Sequence, residues 1–208
     1  MKYSRVLAVS MVAALFFISC EPLLLFEDTY PDFASPADKA LCVVIRPLAP
    51  PSIPIPKIGP MGGGSINLGA KQALIYIDGK VSGGNIGKTV CAFEVEPGEH
   101  LIIAKADIPG KVKFNFQAGK IYYLMHNVFP VPIGVTTLVG STLEPMPGDE
   151  AVAKLQEEKG NCKLVKYNPA AEAEDLEADD VQDEREKWDD WAKKEPDKAK
   201  IEMEYPGY

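Results

Sequence analysis

Apolar and polar residues alternate with a period of two through much of residues 72 to 128. The clearest stretch is Lys111 to Gln117, where Val112, Phe114 and Phe116 alternate with Lys111, Lys113, Asn115 and Gln117. That period places the apolar set on one face of a half-buried strand. Thr89 to Val95 repeats the pattern with Cys91, Phe93 and Val95. Residues 73 to 77 run into Asp78-Gly79, a pair that suits a hairpin turn, and Pro97-Gly98 is expected to reverse the chain before His100 to Ala104. Ala118-Gly119-Lys120 turns the chain into Ile121 to Val128. Ala40 to Arg46 reads as an opening strand, Val135 to Val139 as a further strand, and Cys162 to Tyr167 as an edge strand. Asp149 to Lys159 is expected to form a short helix capped by Asp149 and stopped at Gly160. Short strands with Gly and Pro punctuation predict an all-β fold class, a small antiparallel β-sandwich with one short C-terminal helix.

The segments around this core break the pattern. Residues 1 to 19 have a basic start, Lys2 and Arg5, and an apolar run from Val6 to Ile18, as in an export signal. Residues 20 to 39 combine prolines, acids and three consecutive leucines and are expected to form a tether. The sandwich is expected over residues 40 to 168. Within it, residues 47 to 64 carry six prolines and are expected to form an extended loop, a solvent-exposed crossover or a docking segment. Residues 169 to 208 form an acidic tail, with twelve acids against four basic residues from Glu172 to Glu195. Such a block stays disordered or forms a poorly packed helix. Val181, Trp188 and Trp191 nonetheless share one helical face, a candidate partner-binding stripe that would serve equally for docking on the sandwich.

Charge and chemistry then narrow the function. The apolar run ends in Phe17-Ile18-Ser19-Cys20, the order that bacterial lipoprotein processing requires, so Cys20 is the expected lipid attachment site. With about 0.8 kcal/mol per buried methylene, more than one acyl chain makes a stable anchor. Glu21 follows it rather than the Asp that favours inner-membrane retention in enteric bacteria, so the expected location is the cell envelope, the outer membrane before the inner. Cleavage before Cys20 leaves 20 basic against 30 acidic residues, a net charge of −10 that makes nucleic acid an unsuitable partner. Cys42, Cys91 and Cys162 remain, enough for one internal disulfide at most; Cys91 also reads as a small buried apolar side chain.

Tests for catalysis and cofactors fail in the sequence. Ser82 to Thr89 misses a phosphate-binding loop at its first glycine, and a strand rather than a helix follows it. His100 and His126 are the only histidines, and no Cys stands at ligand spacing from another. No metal, cofactor or catalytic residue is expected, and the chain reads as non-enzymatic. Tyr76, Tyr122 and Tyr123 supply an alternative, an aromatic surface for a glycan or lipid.

Three motifs also carry a family resemblance. Tyr76-Ile77-Asp78-Gly79-Lys80, Phe93-Glu94-Val95-Glu96-Pro97-Gly98-Glu99-His100 and Ala118-Gly119-Lys120-Ile121-Tyr122-Tyr123 together resemble the PEGA-like domains of bacterial envelope proteins. The set is most similar to the lipoprotein group called domain of unknown function 2846, over residues 41 to 167. The resemblance implies an exported, immunoglobulin-like β-sandwich without an assigned activity. The expected role is that of a lipid-anchored interaction or structural module, with the membrane and an envelope protein as partners.

Overall fold

The computed structural model describes residues 24–27, 33–47, 53–54, 65–66, 72–133, 136–158, 161–171 and 173–208. The expected export signal, Cys20 and most of the Pro-rich segment lie outside the described residues. Six strands form one sheet, in the order β1 (Leu24–Glu27), β12 (Lys163–Tyr167), β7 (Thr89–Val95), β2 (Ala40–Arg46), β10 (Ile121–Ile133) and β11 (Thr136–Met146). Four form a second, in the order β6 (Lys80–Asn85), β5 (Ala73–Ile77), β8 (Gly98–Ala104) and β9 (Gly110–Phe116). The short strands β3 (Ile53–Pro54) and β4 (Ser65–Ile66) pair with each other. Among the described residues three α-helices follow the strands or interrupt them: α1 (Gly148–Glu158), α2 (Ala178–Lys194) and α3 (Pro196–Met203).

The all-β expectation is met as a mostly β fold with three helices among the described residues, and of the two main sheets only the four-stranded one is antiparallel throughout. In the larger sheet β2 runs parallel to β10 and β7 runs parallel to β12. Parallel neighbours require a long crossover. Here the connection from β2 to β10 passes through the second sheet. Pro97-Gly98 accordingly makes no hairpin: β7 pairs with β2 and β12, β8 pairs with β5 and β9, and the turn hands the chain from one sheet to the other. Asp78-Gly79 does make the predicted hairpin, both residues taking positive φ, 48° and 88°, as a two-residue turn demands.

Two expected borders also move. Leu24–Glu27, expected in the tether, pairs with β12 and takes the edge position that β12 was expected to hold. Asp149 lies inside the first turn of α1, and the carbonyl of Pro147 accepts the N–H of Ala151.

One core lies between the sheets. Cys42, Val44 and Leu124 from the larger sheet meet Ile75, Ile102, Val112, Phe114 and Phe116 from the smaller one. Fully burying side chains of this size contributes roughly 1.5–3 kcal/mol each. The Gly83-Gly84 stretch of the failed phosphate loop sits in β6 and serves this packing: a Cβ at Gly83 would lie 2.8 Å from the Phe93 ring, and one at Gly84 2.8 Å from Leu24. Both sheets are apolar on their outer faces as well. Leu41, Val43, Ile45 and Tyr123 pack with Ala151 of α1, while Tyr76, Leu101 and Ile103 pack with Trp188 and Ala199 of α2 and α3.

The expected tail is thus a structural layer. After α3 the chain inserts Tyr205 into the core beside Phe114 and Tyr122, where its hydroxyl donates to the Met146 carbonyl. Tyr208 then exchanges backbone hydrogen bonds with Ile121 at 2.6 and 2.9 Å.

Candidate binding cleft

Acidic α2 docks because β9 presents lysines on its outer side. Lys111 Nζ donates to Glu184 at 2.5 Å, and Glu184 also accepts from Lys187 at 2.6 Å. Burial pushes the Glu184 carboxyl up, but these two lysines outweigh it and hold the group below its ordinary range. Lys113 Nζ reaches Asp189 at 2.8 Å and lies 4.5 Å from the centre of the Trp188 ring. Lys113, expected to face solvent, is therefore buried. Also on α2, Arg185 donates to Asp78 at 3.0 Å, and Val181 near the start of the helix packs on the β5–β6 turn, its Cγ2 being 2.5 Å from where a Gly79 Cβ would stand.

The stripe residues separate in function at this point. Val181 locks a turn, and Trp188 is 6 % exposed over Tyr76, Leu101 and Ile103. Trp191 sits beside Trp188, ring centres 5.8 Å apart. Together the two indoles wall a cleft of about 420 Å³ whose other sides are Gly110, Lys111 and Ser141 to Glu144 from β9 and β11, Lys187 from α2 and Glu202 from α3. That size lies within the range of small-ligand sites. The Trp188 indole N–H donates to Glu202 at 3.0 Å. Burial pushes the Glu202 carboxyl up to about 7, against the indole and a backbone hydrogen bond at Lys113, which favour its ionised form. The cleft thus offers aromatic faces, two paired lysines and one carboxyl poised to change charge near neutral pH.

The surface expected at Tyr76, Tyr122 and Tyr123 is not available to a ligand. The three are 1, 0 and 4 % exposed and fill the interior, because the layers cover both faces of each sheet. Glu202 and the Lys111–Glu184–Lys187 chain had no sequence signal as site residues; they meet only through docking. Tyr205 did have one, an aromatic in a Tyr-Pro-Gly-Tyr end that follows a charged block.

The histidines and thiols are committed elsewhere. His100 Nδ1 lies 2.6 Å from Asp78, whose other oxygen accepts the Leu101 N–H, so the pair clamps the turn to β8. His126 is buried with its Nδ1 2.9 Å from the Asn85 side-chain oxygen. Burial first, and the charge of Arg46 second, push His126 down to about 3. Cys42, Cys91 and Cys162 are buried thiols. Burial pushes the Cys91 thiol up to about 12 and the Cys42 thiol well above its ordinary value. Among the described residues no three His, Cys, Asp or Glu groups are placed to hold a metal ion, and no helix is long and apolar enough to cross a membrane. Comparison of the chain with family models, with curated proteins and with solved structures finds no match.

Proposed function

We propose that the chain is a bacterial envelope lipoprotein, held through acylated Cys20, that acts by binding rather than by catalysis. Its layered sheets serve as a PEGA-like, immunoglobulin-like sandwich, an interaction or structural module on the outer membrane. The observation that carries this reading is the apolar run closed by Phe17-Ile18-Ser19-Cys20, four residues before the first strand of the sheet. The commitment of His100, His126 and the buried thiols to packing and turns supports binding over catalysis. Replacing Cys20 by Ala should move the protein from the detergent phase to the aqueous phase and abolish incorporation of labelled palmitate. Persistence in the detergent phase without label would sink the anchor.

The cleft favours a second reading, a glycan-binding lipoprotein that stacks a sugar on Trp191 beside Trp188. Indole faces suit the apolar faces of sugars, and paired charges at the rim suit hydroxyls. A panel of soluble peptidoglycan fragments should raise the melting temperature of the wild type and leave the Trp191→Ala variant unmoved. A wild-type melting temperature unchanged across the panel would remove this reading.

A further inference from the structure

The position of β1 and the strand directions decide which part of an anchored molecule faces the bilayer. Four peptide steps separate Cys20 from Leu24, a reach of at most ~14 Å when fully extended. β1 is the edge of the six-stranded sheet, and Leu25 on it is 44 % exposed. β1 is antiparallel to β12, β12 parallel to β7, β7 antiparallel to β2, and β2 parallel to β10. The strand next to the anchor and β10 therefore run the same way.

Register places the two ends. Leu25 stands opposite Lys166, Val165 opposite Cys91, Ala92 opposite Val43, and Val43 opposite Tyr123, so Leu25 and Tyr123 share one row across the sheet. β10 continues past that row to Ile133, roughly 33 Å farther along the strand, and lies four strand spacings, roughly 19 Å, across from β1. Beyond Met125, the last residue paired with β2, β10 pairs with β11 alone among the described residues; β11 is held at Gly140 by a bridge to Ile108, and past Phe129, opposite Gly140, the pair continues as a two-stranded arm. No residue from 127 to 143 carries a charge, in a chain of which a quarter is charged, and Phe129 and Ile133 are 39 and 50 % exposed.

This uncharged arm is diagonal to the anchor. It stays away from the membrane whether the molecule rests on its β1 edge or on the end where β1 starts. Only a molecule lying on a broad face would bring both to the lipid. Both broad faces are covered by acidic helices, α1 with Asp149, Glu150, Glu157 and Glu158 on one side and α2 on the other. Acidic surface is a poor match for anionic head groups.

We infer that the acylated protein meets the bilayer with its β1 edge, Leu25 foremost, and holds the β10–β11 arm out on the opposite side. This rests on the proposed acylation of Cys20. The buried native thiols leave an added surface cysteine as the reactive one, so full-length acylated protein carrying Leu25→Cys or Ile133→Cys takes one fluorophore. On phosphatidylcholine vesicles with a minor share of phosphatidylglycerol and a headgroup-attached quencher, the label at 25 should be quenched several-fold more than the label at 133. Equal quenching, or stronger quenching at 133, would overturn the orientation. Intact mass on the same preparation reads acylation separately, so a failed anchor shows in the mass and a failed orientation in the quenching of mass-verified protein. A flexible Gly/Ser insert of about 20 residues after Glu21, with an end-to-end distance of about 25 Å, should lower quenching at 25; unchanged quenching would also overturn it.

Discussion

Ending the chain at Pro169 should abolish cooperative folding rather than trim a solvated tail. The cut removes Trp188 from the outer face of the four-stranded sheet and Tyr205 from between the sheets, uncovering Tyr76, Leu101 and Ile103 and taking one aromatic neighbour from Phe114 and Tyr122. Truncating a single buried aromatic to Ala costs about 3–5 kcal/mol. Two such losses already match the lower part of the 5–15 kcal/mol that a domain of this size holds. The shortened chain should show no thermal transition by circular dichroism and should aggregate. Tyr205→Ala alone should remain folded and lose about 3–4 kcal/mol in urea. A soluble, cooperatively melting chain ending at Pro169 would mean that the helical layer is an ornament on a self-sufficient pair of sheets.

Replacing Glu202 by Gln should change the pH dependence of stability, with a direction opposite to that set by His126. The folded state holds the Glu202 carboxyl at about 7 against an ordinary value of 4.5, so the protein favours its protonated form. The stabilisation is complete below pH 4.5 and is lost as pH rises through 7. His126 is held at about 3 against 6.5, so its contribution is complete above pH 6.5 and is lost as pH falls toward 3. Between 4.5 and 6.5 the two slopes oppose, each about 1.4 kcal/mol per pH unit at most. The Gln variant should be more stable than the wild type at pH 8 by about 2 kcal/mol, after allowance for solvent screening of a partly accessible group. That advantage should vanish by pH 4.5. Groups common to both proteins cancel in the difference. Chemical unfolding across this range checks it, and parallel pH curves would show that Glu202 is not held protonated by the fold.

Local signals were readable and distant ones were not. The inward set of β9, Val112, Phe114 and Phe116, follows from alternation, and the Asp78-Gly79 hairpin follows from turn chemistry. Strand order did not follow, because the parallel β2–β10 pair joins segments about eighty residues apart, and no local pattern records who a strand's neighbour is. The acids of α2 read as solvated because their partners Lys111 and Lys113 stand 73 and 76 residues away. One signal for the covering layer is present in the sequence itself. Leu101-Ile102-Ile103-Ala104 is continuously apolar, as a strand buried on both faces must be, and an open sandwich would have alternated there. The cleft inherits the same opacity, since Trp191 and Glu202 become neighbours only after α2 and α3 dock.

Tyr205 also governs the timing of folding. Synthesis delivers residues in order, and Tyr205 follows every strand that it packs against. A nascent chain that has completed all ten strands of the two main sheets still has an unfilled interior and an uncovered apolar face. Domains ordinarily fold as units while later segments are still being made. This one is barred from doing so. The arrangement keeps the chain loose until its last turn of helix and closing tyrosines have been made.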